Sequence, residues 1–148
     1  MSALIPARGG SKGVHKKNIK LLKGYPLIAY SIMACKMSEM IDRIIVSTDD
    51  EEIAKISLDF GAEVPFLRPP ELATDRSTDK EVIDHYFDIT GEYEVAYVRP
   101  TTPLRNPEVI DENIRDYYHT KILDSTGVRS MHELPESPHK MFQLDKGG

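Results

Sequence analysis

The 148-residue chain has one cysteine and no long apolar run, and each shortage excludes a class of protein. A single cysteine, Cys35, cannot form an intrachain disulfide, so the chain is not a disulfide-stapled module. Its start lacks the apolar core of a signal peptide, and no run approaches the roughly 20 apolar residues that cross a membrane. We therefore expect a cytoplasmic protein without a membrane segment, of the size of one domain.

Positive charge is also scarce, because 19 basic residues face 24 acidic ones and the formal net charge is -5. A non-specific nucleic-acid or membrane-surface binder usually has the opposite balance, so we expect neither partner. Six of the 19 basic residues lie from Arg8 to Lys23, in a stretch without any acid. They are Arg8, Lys12, Lys16, Lys17, Lys20 and Lys23. A basic loop on an acidic body suits a small anionic ligand.

Short apolar runs alternate with segments that have helical spacing. The predicted strands cover residues 2–6, 43–47, 63–67 and 93–98, with 125–130 as a further candidate. The predicted helices cover 26–36, 78–89 and 107–118, and another lies within 48–61. Asp49 with Glu52 is the predicted cap of the 48–61 helix, and Asn106 that of the last helix. This order predicts βαβ units and an α/β protein with a mostly parallel sheet.

The stretch "ALIPARGGSKGVHKKNIK" follows the first predicted strand, where ligands bind in open α/β sheets. Its glycines let backbone N–H groups approach phosphate oxygens, and Arg8 and Lys12 add charge. The stretch is neither a Walker loop nor a dinucleotide fingerprint, since Ser11 stands where the second glycine of the fingerprint belongs. It predicts a triphosphate site of another kind. The alternative is a surface turn with solvated lysines.

The segment "IPARGGSKGVHKKNI" closely resembles the signature loop of cytidylyltransferases that activate acidic nine-carbon sugars. These are the CMP-N-acylneuraminate synthetases and their legionaminate and pseudaminate relatives. "DRIIVSTDDEEIA" is similar to the family's second strand and helix, "FLRPPELATDRST" to its base-recognition loop, and "RPTTPLRNPEVID" to its "QPTSPLR" segment. The resemblance implies a three-layer α/β/α nucleotidyltransferase fold, related to the glycosyltransferase-A fold. It also implies transfer of CMP from CTP to an acidic 2-keto sugar, with release of pyrophosphate.

The resemblance also implies roles for single residues. The catalytic cations at the triphosphate are Arg8 and Lys12. The nucleotide-binding residues are Gly9, Gly10, Ser11, Asn18, Arg68, Ser77 and Asp79. The sugar-binding residues are Arg99, Thr101 and Lys140. Within the nucleotide set, Arg68 would recognise the base, and Ser77 or Asp79 would accept from the cytosine amine.

Two of these positions depart from the family pattern. Arg99 replaces a glutamine, and Asp79 replaces a frequent serine. For residues 75–79, simple helix capping is the alternative role.

Family members are longer, and their later part carries the aspartate pair for Mg²⁺ and the elements of the dimer. We therefore expect residues 1–148 to be a nucleotidyltransferase domain that lacks its C-terminal part. No metal ligand is predicted within it, so Mg²⁺ and homodimer formation are expected of the complete protein. Two alternatives stay open. One is a cytidylyltransferase for another acid sugar, such as 3-deoxy-manno-octulosonate, and the other is a non-catalytic nucleotide-binding module.

Overall fold

A parallel sheet organises the part of the chain that the computed structural model describes, residues 1–11, 13–121 and 127–129. Its strands are β1 (Ser2–Pro6), β4 (Arg43–Ser47) and β5 (Ala96–Tyr97), and they lie in the order β4-β1-β5. A short antiparallel hairpin joins β2 (Leu21–Leu22) to β3 (Tyr25–Pro26). The parallel sheet predicted from the strand and helix order is confirmed.

Four helices accompany the sheet in the described residues: α1 (Leu27–Met37), α2 (Glu51–Asp59), α3 (Asp79–Thr90) and α4 (Pro107–Lys121). Each predicted helix is present, with ends within a few residues of the prediction. Two 3₁₀ turns, Lys17–Ile19 and Pro70–Leu72, lie in the connections. No helix of the described residues is both long and apolar enough to span a membrane.

Strand β1 is covered on both faces, which explains why its central residues, Ala3, Leu4 and Ile5, are all apolar. Ala3 and Ile5 face a cluster that includes Ile28 of α1 and Ile114 of α4. Leu4 points the other way, into a smaller cluster with Ile45, Val82 and Tyr86, the last two from α3. Helices therefore lie on both sides of the sheet, and the predicted three-layer α/β/α architecture is confirmed.

Two predicted strands are shorter than expected. Residues 63–67 form only isolated bridges, Ile45 with Glu63 and Thr48 with Leu67, because Pro65 between them has no N–H to donate to a ladder. Residues 93–98 reduce to β5, and Glu94 before it pairs with Lys121 of α4. The candidate strand at 125–130 falls largely outside the described residues, and 127–129 carry no strand.

The predicted cap of α2 is wrong by one residue. The Oδ1 atom of Asp50, not of Asp49, accepts from the backbone N–H groups of Glu52 and Ile53, at 2.8 and 3.1 Å. The helix begins at Glu51, which places Asp50 at the N-cap and leaves Asp49 for another contact. The predicted cap Asn106 is confirmed, since its Oδ1 accepts from the N–H of Glu108 at 3.1 Å.

A buried carboxylate joins the ends of two helices. Asp111 of α4 accepts hydrogen bonds from the Ser38 hydroxyl and from the N–H groups of Glu39 and Met40, at 3.1 and 3.2 Å. Burial alone would raise the pKa of Asp111, but these donors and the charge of Arg115 outweigh it and hold that pKa below its usual value. The contact fixes the chain after α1 against α4.

Replacing this carboxylate should destabilise the protein. Asp111→Ala should lower the free energy of unfolding by about 2–4 kcal/mol, because it leaves buried donors without an acceptor. Denaturant titration of the full-length protein at neutral pH measures the change. Glu112→Ala, at an exposed position of the same helix, is the control and should change stability by less than about 0.5 kcal/mol. Equal losses for the two variants would contradict the structural role of Asp111.

The same carboxylate should make stability depend on pH. The folded pKa of Asp111 is below its unfolded value, so the unfolded state binds the proton more readily. Its contribution is complete above the unfolded pKa of about 3.9 and is lost as the pH falls through the lower, folded value. The stability difference between the wild type and Asp111→Ala should therefore shrink in that acidic window. A difference that stays constant between neutral pH and pH of about 3 would contradict this linkage.

Candidate functional site

A cleft of about 470 Å³ opens at the carboxyl ends of β1 and β5. Three segments line it: the loop after β1, the residues just before and at the start of α3, and the residues that end and follow β5. The lining residues are Pro6, Arg8, Ser11, Gly13, Lys17, Asn18, Thr74, Asp75, Ser77, Asp79, Tyr97, Arg99, Pro100 and Thr101. The cleft lies at the edge of the sheet where parallel α/β proteins bind ligands.

Most of the predicted site residues meet in this cleft. Those that line it are Arg8, Ser11, Asn18, Ser77, Asp79, Arg99 and Thr101. Gly9, Gly10 and Arg68 are not among the lining residues. Lys12 and Lys140 lie outside the described residues. The fold therefore brings together stretches that are up to about ninety positions apart in the chain, while the role of each residue toward a ligand stays a prediction.

The first loop is fastened to the start of α2 by its backbone. The N–H of Gly9 donates to Oδ1 of Asp49 at 2.8 Å. A Cβ on Gly9 would lie 2.7 Å from Oδ2 of Asp50, so a larger residue would force the loop away from the α2 cap. Asn18 is buried and donates from Nδ2 to the carbonyl oxygen of Arg8 at 3.0 Å. These contacts hold the backbone on either side of the Arg8 side chain.

The basic residues of the loop have different partners. Lys16 adopts a left-handed conformation, with a φ of 48°, and its ammonium pairs with Glu52 of α2. The hydrogen bond to Glu52 and its negative charge raise the pKa of Lys16. Arg8 and Lys17 instead line the cleft. The positive charge of the loop is thus divided between the α2 surface and the cleft.

Both arginines of the cleft are paired with acids from the segment before and at the start of α3. The Arg8 Nη2 atom lies 2.7 Å from Oδ1 of Asp75. The Arg99 guanidinium pairs with Oδ2 of Asp79 and lies 5.9 Å from the centroid of the Tyr97 ring. The Tyr97 hydroxyl donates to Oδ1 of Asp79 at 2.8 Å. Asp79 is thus held by two side chains that belong to or follow β5.

Tyr97 and Asp75 are cleft residues that sequence reasoning did not assign to the site. Burial raises the pKa of Tyr97 to about 12, so its hydroxyl stays protonated and remains a donor to Asp79 at neutral pH. The sequence did contain a positional signal for Tyr97, which lies near the end of a predicted strand and two residues before the predicted site residue Arg99. Asp75 lies two residues before the predicted site residue Ser77, in the stretch "LATDRST", but helix capping was the alternative role for these residues.

Arg68 is buried, with 5% of its surface exposed. Its Nε donates to the Ser47 hydroxyl at 2.9 Å, and its Nη2 donates to the Ser47 carbonyl oxygen. Burial lowers the pKa of Arg68, and the nearby Tyr97 and Asp49 partly offset this effect. In this structure Arg68 supports the end of β4, and its predicted role at a nucleotide base stays a prediction.

The described residues show no group of three His, Cys, Asp or Glu side chains placed to hold a metal ion. Cys35 is fully buried in the core cluster, and burial raises its pKa to about 12. Its thiol is therefore protonated at neutral pH and packs as a small apolar side chain.

Comparison with solved structures shows the fold. The chain superposes on a CMP:2-keto-3-deoxy-manno-octonic acid synthetase complexed with CTP, with a TM-score of 0.72 at 16% identity. The superposition covers 81% of this chain and 48% of that one. At this identity the likeness concerns the fold alone, which is that of the nucleotidyltransferases.

Two curated relatives are much closer in sequence. The chain is 44% identical over 116 residues to an N-acylneuraminate cytidylyltransferase of Escherichia coli, covering 78% of this chain and 27% of the relative. It is 42% identical over 116 residues to a CMP-N,N'-diacetyllegionaminic acid synthase of Legionella pneumophila, covering 73% of this chain and 49% of the relative. The matched part is thus about half of these relatives' length or less.

Residues 2–142 match the cytidylyltransferase family as a whole. This range includes the first loop, the segment before α3 and the residues after β5, which together form the cleft. The match over nearly the entire chain, with relatives above 40% identity, shows that the chain belongs to the cytidylyltransferase family.

Proposed function

We propose that this chain forms the nucleotide-binding part of an enzyme that transfers CMP from CTP to an acidic nine-carbon 2-keto sugar, such as a sialic-acid-like sugar. The observation that carries the proposal is a single cleft lined by Arg8 and Lys17 of the first loop and by Arg99, which follows β5. A triphosphate and a sugar carboxylate are both anions, and the cleft has cations for each of them. The names of the two curated relatives support this choice of substrates.

In the proposed reaction, the 2-hydroxyl of the sugar attacks the α-phosphorus of CTP in line. The bond from the α-phosphorus to the bridging oxygen breaks, pyrophosphate leaves with the electron pair, and the hydroxyl proton passes to solvent. Negative charge accumulates on the leaving group, so a fixed cation beside it lowers the barrier. Arg8 and Lys12 have this role in our proposal, and Lys17, which lines the cleft together with Arg8, adds a further charge. The rest of the rate acceleration comes from holding the two substrates in line for the attack.

Base and sugar recognition are proposed for the other side of the cleft. Asp79 and Ser77 are the proposed acceptors for the cytosine amine, and Arg68 is proposed to donate to the O2 and N3 acceptors of the base. Arg99 is proposed to bind the sugar carboxylate. The direct contact between Asp79 and Arg99 brings the two regions together. Thr101 borders the same region, and Lys140 completes the proposed sugar-binding set.

The metal, the assembly and the compartment belong to the proposal for the complete protein. Mg²⁺ is held by one or two carboxylates together with substrate phosphates in enzymes of this chemistry. The acids of the described cleft, Asp75 and Asp79, are each paired with an arginine, and their environment does not fit a metal site. We therefore derive no step through the metal. We propose that its ligands lie elsewhere in the complete protein, which we expect to be a cytoplasmic homodimer.

The phosphate role of the first loop can be tested by removing its charge. Arg8→Ala and, separately, Lys12→Ala in the full-length enzyme should each reduce kcat/KM for CTP on the order of 10²-fold, through loss of transition-state stabilisation. A pyrophosphate-release assay with CTP and N-acetylneuraminate measures this change. Lys16→Gln is the matched control, because its charge pairs with Glu52 on the α2 surface. Near-normal turnover by Arg8→Ala would exclude the assignment. No turnover by the wild type with any acidic sugar, despite CTP binding, would favour a binding module.

The base preference can be tested by ligand protection. CTP should raise the Tm of the full-length protein more than ATP or GTP does at the same concentration, because only cytosine combines on one pyrimidine ring an exocyclic amine for Asp79 or Ser77 and the O2 and N3 acceptors proposed for Arg68. A ligand at 100 times its Kd adds about 2.7 kcal/mol of stability, which a thermal shift readily detects. Differential scanning calorimetry with each nucleotide makes the comparison. Equal shifts for all of them would remove the case for a cytosine pocket.

A further inference from the structure

The two arginines of the cleft come from different strands, yet both are paired with acids of one short segment. Arg8 follows β1 and pairs with Asp75, and Arg99 follows β5 and pairs with Asp79. We call residues 74–79 the acidic arm. Its two carboxylates form ion pairs with the two arginines to which our proposed function gives ligand-binding roles. Arg8 is assigned to the triphosphate, and Arg99 to the sugar carboxylate.

We propose that the acidic arm is an internal competitor for the anion site of the cleft. The carboxylates of Asp75 and Asp79 occupy arginine donors that phosphate or carboxylate oxygens of a ligand take when it binds. The arm thereby sets the affinity for the anionic ligand. The identity of that ligand rests on the proposed function, whereas the competition itself rests on the two observed ion pairs.

The pairs are exposed enough to exchange. The side chains of Arg8 and Asp75 are 31% and 37% exposed, and those of Arg99 and Asp79 are 52% and 48% exposed. Ion pairs of this exposure are weak, because water and salt screen them. Arginine has five N–H donors in a planar fork, and a phosphate group can engage two of them at once. A multiply charged ligand can therefore displace a single carboxylate.

The arm keeps its shape by contacts other than the arginines. Ser77 accepts from the N–H of Thr74 at 3.0 Å and donates to the carbonyl oxygen of Glu71 at 3.2 Å. Thr78 and Glu81 form a reciprocal capping box at the start of α3. Releasing Arg8 should therefore leave the backbone of the arm in place, so its carboxylates act as fixed negative charges and not as part of the fold.

The charge of the cleft shows what the arm changes. Among the described lining residues, three carry positive charge, Arg8, Lys17 and Arg99, and two carry negative charge, Asp75 and Asp79. The arm thus cancels most of the positive charge. Neutralising Asp75 would release the Arg8 guanidinium and would also remove a negative charge beside the incoming phosphates.

The experiment is calorimetric titration of the full-length protein with CTP and, separately, with inorganic tripolyphosphate, both without divalent metal. Asp75→Asn should lower the Kd for both probes by about 2- to 6-fold, the factor expected when a weak exposed pair no longer occupies the site. Asp79→Asn removes a negative charge from the cleft that Arg8 and Lys17 also line, so it should lower the Kd for tripolyphosphate, which has no base to recognise, even though Arg99 itself is assigned to the sugar carboxylate. Asp84→Asn is the control, since Asp84 pairs with Lys80 on the same helix and does not line the cleft. Its Kd values should equal those of the wild type.

The two probes separate this proposal from the proposed function. If tripolyphosphate binds more tightly to Asp75→Asn but CTP shows no gain over tripolyphosphate in any variant, the competition stands and the cytosine assignment fails. If CTP binds the wild type and Asp75→Asn binds it equally or more weakly, Asp75 positions Arg8 instead of competing for it, and the proposal is overturned. Failure of both probes to bind the wild type and Asp75→Asn also overturns it, because the cleft would then not be an anion site.

Discussion

Strand β1 is the constraint on which the rest of the structure depends. It hydrogen-bonds to a parallel strand on each edge, and its central side chains are fully buried on both faces. The side chains of Ala3, Leu4 and Ile5 are therefore not available to a ligand, and β1 contributes to the cleft only at its carboxyl end, through Pro6 and the loop that follows. Arg8 is two residues beyond that end, and Gly9 is fixed there by Asp49. The position of β1 thus determines where the first-loop side of the cleft begins.

The helices were predictable because their signals are local. Asn106, Thr78 with Glu81, and Gly91 act within one turn of the helix that they begin or end. The cap of α2 was predicted one residue early because Asp49 and Asp50 are chemically equivalent in the sequence. Only the position of the first loop, which takes the carboxylate of Asp49, distinguishes them. The strand predicted at 63–67 is reduced to isolated bridges for a local reason too, since Pro65 interrupts the hydrogen-bond ladder.

The cleft was predicted in part, and the missing part is non-local. The resemblance selected Arg8, Ser11, Asn18, Asp79 and Arg99, and the fold places all of them on one cleft. The resemblance did not predict which of the site residues form ion pairs with one another or with neighbouring acids. The ion pair from Arg8 to Asp75 joins residues 67 positions apart, and no spacing rule connects them. The burial of Arg68 was also not predictable, because its stretch between prolines is typical of an exposed loop.

The contact between Asp79 and Arg99 couples the charges of two segments that lie twenty positions apart in the chain. Neutralising either residue alone would leave one unbalanced charge beside the cleft, whereas neutralising both would preserve the charge balance of the cleft. The two residues therefore act as one electrostatic unit, and a joint substitution should disturb the field of the cleft less than either single one.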